Sequence, residues 1–291
     1  MTPTLFQILI LGLVQGAAEL LPVSSSAHVI AAEKLMKLDP SSPQMTFVLI
    51  MLHTGTMVAV VAYFWKAWKR TFFSSAAAFT NAALRVFVAT LVSGAVFVAF
   101  NYLIKRFVFK GSSGAEIEDL FSNLHLISGS LAAAGLLILY AGLKARTPGP
   151  QAEAPVGDGR MMSTAQASVI GLLQGFCLPF RGFSRSGATI STGMLLGLPR
   201  RVSEEFSFAL AVVITPPVIL RELMRLSHSG GGSGLGPQLV PGLVGMVCSF
   251  AAGLGALKWL SGWLEHGRWY LFGVYCLGAA AAVFALSSFG Y

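Results

Sequence analysis

Two short polar stretches interrupt an otherwise apolar chain. In the first, Gln15 and Glu19 stand four residues apart, on one face of a helix, and Pro22, Ser24, Ser25, Ser26 and His28 follow. A carboxylate, three hydroxyls and an imidazole in one segment supply a general base and candidate nucleophiles. In the second, Arg181, Ser184, Arg185, Ser186 and Thr189 follow Pro179. That set suits a phosphate: guanidinium groups offer a planar fork of donors, and hydroxyls with the free N–H groups of a helix start complete a cradle. One stretch is equipped to react and the other to grip, which is the chemistry of phosphoryl transfer. The stretches also correspond to each other. Gln15-Gly16 recurs as Gln174-Gly175, and Val23-Ser24-Ser25-Ser26-Ala27 faces Gly182-Phe183-Ser184-Arg185-Ser186.

The elements that position them belong to a membrane protein. Hydrophobic residues make up 55% of the 291 and charged residues only 11%, and mean hydropathy is +0.71. Stretches long enough to cross the hydrocarbon, on the order of 20 residues, run near 44–64, 86–104, 123–143, 204–226, 238–258 and 269–289. Pro22 and Pro179 break the two remaining apolar segments, 4–38 and 164–199, so each reads as a re-entrant helical hairpin. The Pro-, Gly- and Ala-rich linker 147–163 separates a first repeat, 1–146, from a second, 164–291, each a hairpin plus three spans. Lys66, Lys69, Arg70 and Arg85, then Lys144, Arg146 and Arg160, then Lys258 and Arg268 place alternate connections in the cytoplasm. The 105–122 connection, which mixes Lys105, Arg106 and Lys110 with Glu116, Glu118 and Asp119, and the formally uncharged 227–237 connection fall outside. A hairpin plus three spans reverses orientation, so the expected fold class is an all-α integral membrane protein with an inverted-topology repeat. Broken helices at that depth persist where they line a wet, protein-enclosed site, expected between the hairpins.

Other features read as structural. The net charge of +8 is scattered over connections and forms no basic face, which excludes nucleic acid as the partner. Leu5–Leu21 lacks a basic flank and a cleavage site, so it reads as part of the mature chain. Cys177, Cys248 and Cys276 show no metal-like spacing and read as buried small side chains. Glu33, Lys34 and Lys37 at the hairpin's exit read as solvated or headgroup-facing. His53, inside an apolar span, reads as a packing residue, and Gly55, Gly94, Gly129, Gly171 and Gly193 read as points of close helix approach. A membrane carrier or flippase for a phosphorylated ligand would share the inverted repeat and midplane site; a non-catalytic scaffold would need neither Glu19 nor Arg185 in the membrane.

Gln15-Gly16-Ala17-Ala18-Glu19-Leu20-Leu21-Pro22-Val23-Ser24-Ser25-Ser26-Ala27-His28 resembles the Glu/Gln-x-x-x-Glu plus Pro-Val-Ser-Ser-x-x-His signature of the bacterial undecaprenyl pyrophosphate phosphatases. Phe183-Ser184-Arg185-Ser186-Gly187-Ala188-Thr189 resembles their second motif. The resemblance implies an inner-membrane enzyme that hydrolyses the C55 diphosphate carrier to the monophosphate, recycles it for peptidoglycan synthesis and confers bacitracin resistance. It also implies a divalent cation, Mg²⁺ or Ca²⁺, to which Glu19 and Gln15 could offer oxygen. On this reading Glu19, Ser25, His28 and Arg185 are catalytic, with Ser25 the preferred nucleophile and His28 or water the alternatives. Gln15, Ser24, Ser26, Arg181, Ser184, Ser186 and Thr189 bind substrate, and the site opens to the periplasm. Two departures stand out. Gln15 occupies a position where many relatives carry Glu, which leaves acid–base work to Glu19, and Arg181 stands where the second motif usually has Pro. A homodimer is left open.

Overall fold

The computed structural model describes residues 3–39, 42–107, 124–145, 162–228 and 236–288. Among these the chain is all helical: α1 Leu5–Leu20, α2 Ser25–Leu35, α3 Pro43–Thr71, α4 Ala76–Phe107, α5 Leu124–Lys144, α6 Thr164–Cys177, α7 Arg185–Leu195, α8 Arg200–His228, α9 Gly236–Glu265 and α10 Tyr270–Ser288. Six of them, α3, α4, α5, α8, α9 and α10, are long and apolar enough to cross a bilayer, and they match the six expected spans. Lys110, Glu116, Glu118, Asp119, Arg146 and Arg160, on which much of the sidedness rests, lie outside the described residues, as does most of the 227–237 connection.

The two broken segments are built alike. Thr4 caps α1 and Ser163 caps α6, each in a reciprocal box with the glutamine three residues on, Gln7 and Gln166. Each glutamine then reaches the far end of its own hairpin: Gln7 Nε2 donates to the Met36 carbonyl and Gln166 Nε2 to the Leu196 carbonyl. The second helix of each pair closes with the same paired bonds, Leu38 N to Glu33 O with Lys37 N to Lys34 O, and Leu198 N to Gly193 O with Gly197 N to Met194 O. This Schellman geometry needs a left-handed residue. Gly197 takes it at φ +82°, whereas Lys37 takes it at +54°. Lys37→Gly is therefore expected to stabilise the protein by about 0.5–1 kcal/mol and Gly197→Ala to cost about 1 kcal/mol. Thermal unfolding in detergent reads both, and equal and opposite shifts in the other direction would contradict the shared cap.

Two compact units are interleaved along the chain. The first comprises residues 1–21, 25–68 and 208–260, and the second comprises 22–24, 69–207 and 261–291. In the first unit α1 lies against α9 so closely that a Cβ on Gly16 would sit 2.5 Å from the Ser249 carbonyl oxygen. In the second unit α6 lies against α4 in the same manner, with a Cβ on Gly175 placed 2.5 Å from the Ser93 carbonyl oxygen. Each hairpin thus packs on a helix from the other half of the sequence. Close approach likewise accounts for Gly55, Gly171 and Gly193, but Gly94 and Gly129 have nothing within 4 Å, which corrects the expectation for those two.

Below the first break, Ile8, Leu11, Val29, Met45, Val48 and Leu52 form an apolar cluster. Glu33 shares a face of α2 with Val29, one turn away, and is only 2% exposed. The solvated reading of Glu33 is therefore corrected, while Lys34 and Lys37 are exposed as expected. Cys177 and Cys276 are buried, Cys248 is half-buried, and all three are free thiols.

Candidate active site

In the first unit, α1 ends at Leu20 because Pro22 disfavours helix at Leu21, whose backbone is extended at φ −73°, ψ 151°. Ser24 then turns the chain in a left-handed conformation, φ +68°. A serine with φ > 0 is uncommon, and such backbone persists where its surroundings enforce it. The turn starts α2 at Ser25 with its hydroxyl directed back at α1: Ser25 Oγ donates to Glu19 Oε2 at 2.6 Å. Gln15 Nε2 donates to the same oxygen at 3.2 Å. Gln15 is buried and the Glu19 side chain is 20% exposed. His28 and Ser26 lie half-buried on α2. His28 is one turn on from Ser25, which places both on one face of α2.

A group absent from the expected set stands here too. His53 Nε2, on α3, is 4.0 Å from Glu19 Oε2. Its position within a helix apolar all round hid it, although the Thr54-Gly55-Thr56 run beside it is unusually polar for a span.

In the second unit, α6 ends at Cys177, and a turn closed by Phe180 N to Cys177 O and Phe183 N to Phe180 O leads to Ser184. Ser184 caps α7 by accepting the Gly187 N–H, and its hydroxyl lies 3.4 Å from that of Ser186. Arg185 is the first residue of α7, half-buried, at the end where helix N–H groups and the dipole favour an anion. Every residue from Ser186 to Met194 is buried, so α7 is enclosed on all sides. Thr189 is spent on positioning: its hydroxyl donates to the Arg185 carbonyl at 2.9 Å and meets the Ser207 hydroxyl of α8 at 2.6 Å. Ser203 and Ser207, four apart on α8, are the signal that could have revealed this contact. Arg181 is exposed in the turn. The Pro22–Ser24 turn of the first break belongs to this same unit, where Cys276 Sγ donates to the Pro22 carbonyl at 3.2 Å.

These residues do not assemble a divalent-cation site by themselves. Among the described residues no three His, Cys, Asp or Glu groups could share a metal. Gln15 turns its N–H and not its carbonyl towards Glu19, and donors already converge on Glu19 Oε2, where a cation would meet them head-on.

The first set is a hydroxyl coupled to a carboxylate, and the second is a guanidinium at an enclosed helix start. Comparison with known proteins places the chain in a family. The chain is similar to "Undecaprenyl-diphosphatase 2" of Acinetobacter baylyi, 54% identical over 289 residues, covering 97% of this chain and 98% of that protein. It is 31% identical over 284 residues to the "Undecaprenyl-diphosphatase" of Korarchaeum cryptofilum, 96% and 98% of the two chains. With that of Desulfitobacterium hafniense it shares 28% over 275 residues, 93% and 91% of the two. The family model described as bacitracin resistance protein BacA matches residues 8–282, and the chain belongs to that family.

Proposed function

We propose that this protein hydrolyses undecaprenyl diphosphate to undecaprenyl phosphate and inorganic phosphate, recycling the lipid carrier for peptidoglycan synthesis and so conferring bacitracin resistance. The observation that carries the chemistry is the 2.6 Å hydrogen bond from Ser25 to Glu19, a nucleophile already on its base. Ser25 Oγ attacks the terminal phosphorus, and its proton passes to Glu19. The bond from that phosphorus to the bridging oxygen breaks, and its electron pair leaves with the lipid monophosphate. Water then releases phosphate from the serine. Arg185, with Ser184, Ser186 and the N–H groups at the start of α7, holds the diphosphate and offsets charge growing on the leaving oxygen. Gln15 keeps Glu19 oriented without competing for its proton, because an amide does not titrate. Ser26 and His28 stand beside Ser25 on α2 as further contacts for the substrate, Arg181 adds a cation in the turn before α7, and Thr189 locks α7.

The enzyme resides in the bacterial inner membrane, with its site open to the periplasm. The alternation of basic connections supports that orientation. The protein purified in detergent is expected to release inorganic phosphate from a polyprenyl diphosphate, with divalent cation supplied. Binding of the lipid without phosphate release would instead favour a carrier.

A further inference from the structure

We propose that His53 is a positioning residue of this reaction, fixing the Glu19 carboxylate that takes the Ser25 proton; this rests on the hydrolase reading above. The ring is fixed on one side by a hydrogen bond and on the other faces the carboxylate at ion-pair range, beyond hydrogen-bond distance. Nδ1 lies 2.8 Å from the Leu49 carbonyl one turn back, and Nε2 faces Glu19 Oε2 at 4.0 Å. The backbone beneath the ring is unusually constrained. Thr54 Oγ1 donates to the Ile50 carbonyl, Thr56 Oγ1 donates to the His53 carbonyl, and Ser249 Oγ of α9 donates to the Leu52 carbonyl at 2.9 Å. Four of the five carbonyls from Leu49 to His53, all but that of Met51, are thus met by side chains at this level.

A histidine kept only for packing would be enclosed. The His53 side chain is 41% exposed, yet it stands ten residues into a 29-residue spanning helix, about 15 Å from its start. A polar ring at that depth is costly against lipid and is retained where it faces a wet recess or a partner. Glu19 is that partner. Glu19 lies in the last turn of α1, beside the break, where a tie to another helix would restrict the carboxylate. Gln15 and Ser25, which both donate to Oε2, belong to the same hairpin. His53 comes from α3, so it ties the carboxylate to a spanning helix. An error of about 1 Å in such a group can cost roughly 100-fold in rate.

The test uses the full-length protein in detergent with a polyprenyl diphosphate. His53→Ala is expected to lower kcat about 10- to 100-fold with KM changed less than about twofold. His53→Gln, whose amide offers a donor of similar reach, should recover most of the loss. Unfolding temperatures of His53→Ala, Glu19→Gln and the double variant should be non-additive. At least half the wild-type kcat in His53→Ala, or equal losses in the Ala and Gln variants, would overturn the proposal. Failure of wild type to release phosphate would remove the hydrolase reading instead, and additive unfolding shifts would then reject the His53–Glu19 coupling on their own.

Discussion

Arg185→Ala is expected to lower kcat/KM by about 10³-fold, the scale on which a single transition-state donor or a phosphate-clamping arginine acts. Arg185 starts a helix whose following nine residues are all buried, so its guanidinium emerges from a fixed base. The Ser184 cap and the contact between Thr189 and Ser207 hold that start in place. Arg185→Lys keeps the charge and loses the planar fork, and should recover only about a tenth of the activity. Inorganic diphosphate should inhibit wild type and spare Arg185→Ala, because the arginine contacts phosphate oxygens in the ground state as well. Activity of Arg185→Ala within tenfold of wild type, with diphosphate inhibition intact, would move the phosphate grip away from α7.

Much of the fold was legible because its signals are long or absolute. A span needs about 20 apolar residues whatever its neighbours, and all six emerged where composition placed them. The breaks were legible where a proline meets a run of polar residues, as at Pro22 and Pro179; proline alone does not end a helix here, since α8 runs through Pro216 and Pro217. What stayed hidden depends on rotation about a helix axis. A helix that is apolar on every side carries no phase, so nothing in the sequence turned His53 towards Glu19 or told Gly55, which meets the Met246 backbone, from Gly94, which meets nothing. Glu33 failed differently. Its charge argued for solvent, whereas its spacing from Val29 carried it inward, and the spacing decided. The packing of α1 on α9 and of α6 on α4 joins residues more than two hundred and about eighty positions apart, respectively. Such pairings leave no trace in local periodicity.

Within the site, residue types were legible and their partners only in part. Ser25 and Glu19 lie six residues apart across a turn, close enough for motif spacing to suggest contact. Thr189 was read as a phosphate ligand because a hydroxyl near an arginine is generic. Its partner Ser207 lies on another helix, and that partner turns the hydroxyl into a brace. The residues of the two motifs fall in different units, Glu19, Ser25 and His28 in one and Arg185 with its neighbouring hydroxyls in the other.

Ser25→Ala and Glu19→Gln should each lower kcat by about 10²- to 10⁴-fold, the range of a lost general base. The double variant should be no worse than the poorer single one, because a nucleophile and its base act as a unit. Glu19→Gln is informative since its amide oxygen can still accept the Ser25 hydrogen bond: geometry stays, basicity goes. The same experiment decides between Ser25 and His28, which share a face of α2. With the terminal phosphate of the lipid radiolabelled, acid quenching of wild type should leave label on Ser25, because a phosphoserine ester survives acid. A phosphoramidate on His28 would survive alkali and be lost in acid, so label recovered only under alkaline quench would make His28 the nucleophile. No label under either quench, with Ser25→Ala retaining more than about a tenth of its rate, would leave water as the attacking group, with Glu19 as its base.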